Sequence, residues 1–130
     1  MDKMSKGLAQ VELMNGEFGK NAVENVSRKY PELAPFVVEF GFSDVYARPG
    51  LDLKQREIAT IATLTTLGDS GHQLEFHLRT GLHVGLTETE ITEVLVNCIP
   101  QIGIPRVMNA FQVWEKVLEE RRAAATAGSA

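Results

Sequence analysis

The chain has 130 residues, of which 44% are hydrophobic and 23% charged, as in an ordinary globular domain. Its net charge of −4 at pH 7 gives no cationic excess, so we expect no nucleic-acid partner, because phosphate binding needs clustered Lys and Arg. No stretch approaches the roughly 18 apolar residues of a membrane span, and the N-terminus lacks a signal peptide pattern, so we expect a cytoplasmic protein with no membrane partner.

The first part of the chain is predicted to form three short helices. A weak helical pattern over Lys6–Met14 stops at Asn15-Gly16, and a second runs from Asn21 to Arg28. Tyr30-Pro31 ends the second helix, because a residue before proline avoids the helical region. Pro31 then suits the first turn of a third helix, whose aromatic residues, Phe36 and Phe40, we expect in the core.

A loop and a long helix follow. Residues 43–52 are predicted to be a loop with a turn at Arg48-Pro49-Gly50, and Asp52 is a good N-cap. The β-branched residues of Leu53–Leu67 would suit a buried strand, but its length and acidic cap favour a helix that is buried on most sides.

Three further helices complete the predicted fold. One runs from about His72 to Val84, with Gly85 at its C-terminal cap, and the next begins at a Thr87–Glu90 capping box. The last begins at Pro105, and its predicted core stripe is Val107, Met108, Phe111, Trp114 and Leu118. The sum is six to seven helices in one all-α domain over 1–122, with a flexible tail over 123–130.

His77, in the middle of its helix, is the first candidate for chemistry. It could be a partly buried histidine with a hydrogen bond, or a general acid/base, because an imidazole titrates near neutral pH. His72, His77 and His83 are spaced five and six apart and do not share a helix face, so no metal site is expected.

Three charged residues near the turn are further candidates. Arg48 and Arg56 flank Pro49-Gly50, and either both are surface charges, paired with Asp44 or Glu57, or one of them anchors a substrate carboxylate. Glu57 precedes a chargeless helix interior and is a possible second proton-transfer group, or a helix-terminal acid stabilised by the macrodipole.

Two other groups are expected to be structural. Cys98, the only cysteine, lies on the apolar face of its helix and is expected to pack in the core. Glu75 and Arg79 lie four apart and are expected to form an exposed ion pair.

Several motifs, taken in this order and spacing, resemble the carboxymuconolactone decarboxylase family of the alkyl hydroperoxidase D-like superfamily. They are Arg48-Pro49-Gly50-Leu51, Arg56-Glu57-Ile58, Gln73-Leu74-Glu75-Phe76-His77, Gly81, Gly85, Glu90-Ile91, Glu93-Val94 and Gly103-Ile104-Pro105. The resemblance implies an all-α fold in a ring-like homo-oligomer, a trimer or hexamer, with sites near subunit contacts.

The resemblance also implies an activity. It is the cofactor-free removal of CO2 from 4-carboxymuconolactone, or a similar small carboxylate, to give 3-oxoadipate enol-lactone in aromatic catabolism. His77 matches the histidine of the decarboxylase branch, with Glu57 to tune or relay protons. Arg48 and Arg56 match arginines that would hold carboxylate. Gln73 stands where that branch often has Glu, and would orient the substrate.

Two alternatives to the decarboxylase remain. Aligned on His77, the two cysteines of the alkyl hydroperoxidase D branch fall on Ser70 and Gln73, so a thiol-dependent peroxidase would have only Cys98 to use. The other alternative is a non-catalytic oligomeric binding protein that keeps the scaffold.

Overall fold

The computed structural model describes residues 1–129, and over that range it is 84% helical, with six α-helices, one π-helix and no strand. The prediction of an all-α fold is therefore confirmed. Among the same residues no helix has the length and hydropathy that crossing a bilayer requires.

The chain forms two compact units. The first comprises Met1–Arg56 with His83–Gly85, and the second comprises Glu57–Leu82 with the described residues from Leu86 onward. The single domain expected over 1–122 stays a prediction.

Helix α1 (Lys3–Lys29) opens the first unit. Asp2 caps it by accepting a hydrogen bond from the Ser5 backbone N–H at 2.7 Å. The two helices expected here are two segments of α1, because the backbone leaves helical geometry at the predicted break, Asn15-Gly16, where Gly16 takes a φ of +69° that favours glycine. Tyr30 ends the helix, as the following proline predicts.

A π-helix (Pro35–Tyr46) packs against α1, and it overturns part of the sequence prediction. Phe36 and Phe40, expected in the core, are 70% and 60% exposed, whereas Val38 and Phe42 are buried. Both pairs are four residues apart, so the spacing groups residues on a face but does not decide which face α1 covers, and here it is the face of Val38. The helix also takes up residues 43–46, which were predicted to be loop.

Helix α2 (Leu53–Leu67) begins with a reciprocal cap. The Gln55 N–H donates to Asp52 Oδ1 at 2.8 Å, and the Asp52 N–H donates to Gln55 Oε1 at 2.9 Å. The helix, rather than the strand, is thus confirmed, but burial on most sides is wrong: its buried residues are the single stripe of Glu57, Ile61 and Thr65. The Thr65 hydroxyl donates to the Ile61 carbonyl at 2.8 Å, which satisfies it inside the helix.

The second unit contains the larger apolar core. It is built from α2 with α3 (Gly71–His83), α4 (Glu88–Asn97), α5 (Ile99–Ile102) and α6 (Ile104–Ser129). The capping box of Thr87 and Glu90 forms as predicted, and Gly85 takes the positive φ expected after α3. Gly81 lets three core side chains approach closely, since an added Cβ would lie 3.2–3.3 Å from Ile61, Leu86 and Ile91.

Helix α6 supplies the last side of this core. Val107 and Trp114 are buried, and Phe111 and Leu118 pack against the core as predicted, whereas Met108 is 59% exposed and was wrongly placed there. The helix continues to Ser129, and the flexibility expected of residues 123–130 stays a prediction. Residue 130, the end of that predicted tail, lies outside the described residues.

Candidate active site

His77 and Glu57 meet in the second unit. Nδ1 of His77 on α3 lies 2.8 Å from Oε1 of Glu57 on α2, although the two residues are twenty apart in sequence. An ionised carboxylate only accepts hydrogen bonds, so when Glu57 carries its charge the hydrogen of this contact is on Nδ1. The contact fixes the orientation of the imidazole and, with an ionised Glu57, also its tautomer.

The two side chains of the pair differ in their exposure to solvent. The Glu57 side chain is 0% exposed, and the His77 side chain is 13% exposed. Removing a carboxylate from water costs free energy unless hydrogen bonds replace the lost solvation. His77 supplies one such bond to Oε1, while Oε2 is buried without a hydrogen-bond partner among the described residues. The imidazole is thus the one hydrogen-bond partner of this buried carboxyl group among the described residues, and it is also the more exposed member of the pair.

The surroundings of the ring are partly apolar. The Phe76 ring stands edge-on to it, with centroids 5.2 Å apart and planes at 72°. Leu74 and Leu78, which flank His77 on α3, are buried in the core. The ring is thus set among apolar neighbours, while part of it remains accessible to solvent.

Gln73 lies one helical turn before His77. Residues four apart on an α-helix share a face, so the two side chains belong to the same side of α3. Gln73 is exposed. Its proposed role in orienting a substrate stays a prediction.

In the first unit, the side chain of Arg56 contacts the backbone of Arg48 and not its side chain. Nη2 of Arg56 donates to the carbonyl oxygens of Arg48 and Pro49 at 2.8 and 3.2 Å. The alternative partners considered from the sequence are occupied elsewhere. Asp44 pairs with Lys3 at 3.1 Å, and Glu57 bonds to His77. Arg56 therefore holds a turn rather than an acidic side chain.

A charged network near His77 was only partly predicted. Arg79 and Glu75 form the expected ion pair at 3.3 Å, but it is half-buried rather than exposed, Glu75 also bonds to Lys116 at 2.9 Å, and Arg79 contacts Glu120. Burial opposes ionisation of Glu75, but the hydrogen bonds and charges of Lys116 and Arg79 outweigh it and hold its pKa below the usual value. Spacing along α3 predicted the local pair, whereas contacts to α6 depend on how the helices pack.

Cys98 is placed as predicted for a core residue. It is buried, its Sγ donates to the Val94 carbonyl at 3.4 Å, and burial raises the pKa of its thiol. A raised pKa lowers the fraction of reactive thiolate, which counts against a thiol-dependent reaction at this residue.

Two cavities lie in the second unit apart from the pair. One, of about 500 Å³, is an apolar groove along α6 that includes Ile104, Met108 and Phe111. The other, of about 240 Å³, includes Asp69, Ser70 and Arg106. Neither is lined by His77 or Glu57. Within the described part of the chain no three His, Cys, Asp or Glu side chains cluster as a metal site would require.

Comparison with known proteins places these residues in a family context. The model of the carboxymuconolactone decarboxylase family matches residues 31–116, a range that contains all five predicted site residues. 4-Carboxymuconolactone decarboxylase of Acinetobacter baylyi is 28% identical over 111 residues, which cover 85% of this chain and 82% of that protein.

Two other relatives are similar to the chain over much of its length. Nitrosuccinic acid decarboxylase of Metarhizium robertsii is 27% identical over 110 residues, or 84% of this chain and 76% of that protein. An uncharacterized 15.0 kDa protein of Paracoccus denitrificans is 30% identical over 91 residues, or 69% of this chain and 68% of that protein. Because the family model matches well over half of its residues, the chain belongs to the carboxymuconolactone decarboxylase family.

Proposed function

We propose that the protein is a decarboxylase of a small carboxylated molecule, with His77 as general acid/base and Glu57 as the carboxylate that orients it. Family membership and two relatives named as decarboxylases support a carboxy-lyase reaction. The roles of the residues rest on one observation, the 2.8 Å contact between His77 Nδ1 and the buried Glu57 carboxylate.

The proposed reaction needs one proton in the right place. Loss of CO2 breaks a carbon–carbon bond and leaves the bonding electron pair on the substrate, where a neighbouring electron-withdrawing group delocalises it. The His77 ring then delivers a proton to that substrate through Nε2, because Nδ1 faces Glu57. Glu57 offsets the positive charge that the ring carries before the transfer, and water returns the proton afterwards.

The named relatives supply two candidate substrates, 4-carboxymuconolactone and nitrosuccinic acid. In the first, a conjugated lactone can hold the electron pair left by CO2, and in the second a nitro group can. Both carry carboxylate, the group for which Arg48 and Arg56 were predicted as anchors, with Gln73 as an orienting amide. We propose the first as the leading candidate, since the motifs of the chain resemble the branch that acts on it.

Release of CO2 from each candidate by the purified full chain tests the proposal. His77→Gln removes the titrating ring but keeps a polar side chain, so we expect turnover to fall by about 100-fold or more. His72→Gln is the matched control, because His72 is exposed at the start of the same helix. Its turnover should stay at the wild-type level.

Two outcomes count against the proposal. Equal turnover by the wild type and His77→Gln would remove the ring from the chemistry. No CO2 from either substrate, with the fold confirmed by circular dichroism, would favour the alternative of a non-catalytic binding protein.

We also propose a cytoplasmic homo-oligomer, a trimer or hexamer. Exposure of Phe36 and Phe40 supports it, because neighbouring large aromatic side chains are commonly covered by a partner. Light scattering after gel filtration should give a mass of three or six chains, and a monomer would contradict this part of the proposal.

A further inference from the structure

The turn before α2 is held rigidly by hydrogen bonds. At the N-terminal end of the turn, the Arg48 N–H donates to the Val45 carbonyl at 3.1 Å. At the C-terminal end, Asp52 and Gln55 form the reciprocal cap of α2. Pro49 fixes its own φ, and Gly50 takes a φ of +107° that other residues rarely adopt. These contacts and φ angles together restrict the conformations open to the backbone that carries Arg48.

Arg56 completes this confinement with its side chain. One of its amino groups, Nη2, bridges the consecutive carbonyl oxygens of Arg48 and Pro49. Arg56 is half-buried, and its Nε is buried without a hydrogen-bond partner among the described residues. A guanidinium that donates to main-chain oxygens from a half-buried position is poorly placed to turn toward an anion in solution.

Arg48 is the opposite case. Its side chain is exposed, and in the part of the chain that the structure describes its guanidinium has neither an ion pair nor a hydrogen bond. The acid nearest to it in sequence, Asp44, is paired with Lys3 instead. Two properties favour bidentate binding of a carboxylate: a backbone held in place, and a planar guanidinium group that has no other partner.

We infer that the two arginines have different roles in binding the anion. Arg48 binds a carboxylate directly, and Arg56 is a positioning residue that acts only by holding the turn on which Arg48 stands. The inference rests on the proposed function for the identity of the anion as a carboxylate. It departs from the sequence prediction, which gave both arginines a direct contact with substrate.

Succinate is a suitable probe, and its uncharged diamide, succinamide, is the ligand control. Binding to the full chain is followed through the Arg48 Nε–Hε resonance in nitrogen-15 spectra, so the readout needs no turnover. We expect succinate but not succinamide to shift this resonance. Arg48→Ala, followed by calorimetry, should weaken succinate binding by roughly 10- to 100-fold, the effect of losing a charge-assisted contact.

The decisive measurement is a double-mutant cycle. Arg56→Met keeps the aliphatic length and removes the donors, and we expect roughly tenfold weaker binding through misplacement of Arg48. In an Arg48→Ala background the same change should have no further effect, because Arg56 then has nothing to position. Arg122→Met removes an equal charge from an exposed site on α6 and should leave affinity unchanged.

Three results would overturn the inference. A wild-type protein that does not bind succinate has no such anion site. Equal losses from Arg56→Met in both backgrounds mean that Arg56 touches the anion itself, and unchanged affinity means that it positions nothing. Arg56→Lys, which keeps the charge, replaces the methionine variant in the cycle if the latter does not fold. Failure of the proposed reaction would appear separately, as loss of CO2 release with succinate binding intact.

Discussion

Helix α3 makes two kinds of polar contact on its different sides, and they contrast in burial. His77 meets a carboxyl group that is fully withdrawn from water, whereas the half-buried Glu75 and Arg79 join a network with Lys116 and Glu120, which are exposed to solvent. Solvent and salt weaken ion pairs at the surface, while a buried charge depends on the one partner it has. The first contact therefore suits chemistry, and the second suits docking of α3 on α6.

The strongest test of this contrast is Glu57→Gln. Glutamine has nearly the same shape and can still accept a hydrogen bond from Nδ1, but it carries no charge to offset that of the ring. We expect CO2 release to fall by roughly 10- to 100-fold, the range seen when a carboxylate that orients a functional histidine is removed. Turnover at several pH values, with circular dichroism to confirm the fold, provides the measurement.

The surface network supplies the comparison for that variant. Glu75→Gln on α3 also removes one carboxylate, and it should leave turnover within about twofold of the wild type, because Glu75 faces Lys116 and Arg79 rather than His77. Equal losses from the two changes would mean that burial does not distinguish the roles of the two acids.

Packing behind the buried pair is tested by a glycine of the same helix. A Cβ at Gly81 would lie 3.2–3.3 Å from three core side chains, so Gly81→Val should lower the free energy of unfolding by about 1–3 kcal/mol. Gly71→Ala, at the first residue of α3, meets nothing within 4 Å and should change stability by less than about 0.5 kcal/mol. Urea unfolding of both variants measures the difference, and similar losses would show that contact with the core is not the cause.

A neutral buried hydrogen bond gives an intermediate case. Trp114 Nε1–H donates to the Thr92 hydroxyl at 3.0 Å. Thr92→Val keeps the shape and leaves this indole donor without its acceptor, which should lower the free energy of unfolding by about 1–2 kcal/mol. Thr63→Val on α2 is the control, since the exposed Thr63 hydroxyl bonds only within its own helix. If both variants lose the same stability, the effect belongs to the loss of a threonine hydroxyl in a helix rather than to the indole.

Local signals explain which parts of the fold could be predicted from the sequence. The capping box at Thr87 and Glu90, the stop at Tyr30-Pro31 and the cap at Asp52 depend on neighbours within a few residues, and each is found in the structure. Phe36 and Phe40 are exposed although they are spaced like a core stripe, because spacing does not show which face of a helix its neighbour covers, and here Val38 and Phe42 are the buried pair.

The candidate site was predictable residue by residue but not as an arrangement. His77 and Glu57 were named separately, and their contact depends on the packing of α2 against α3, which no spacing reveals. The bridge from Arg56 to the carbonyls of its own turn could not be predicted either, because every residue has a main-chain oxygen and residue types do not mark which of them accepts.

The smallest expected effect is the pH dependence of the surface network. The pKa of Glu75 is lower in the folded protein than in the unfolded chain, so its contribution to stability is present above the unfolded-state pKa and is lost as pH falls through the folded-state pKa. We expect this contribution to be under about 1 kcal/mol, because the network is accessible to water. It should shrink further at high salt, since added ions screen charges at the surface.

Urea unfolding at pH 7 and pH 3 measures that contribution in wild type and Glu75→Gln. The wild type should lose more stability between the two pH values than the variant, which has no carboxylate to protonate at this position. Glu93→Gln, at an exposed site on α4, should behave like the wild type. Identical pH dependence in wild type and Glu75→Gln would mean that Lys116 and Arg79 do not stabilise the ionised acid, and the contacts between α3 and α6 would then be held by their apolar residues.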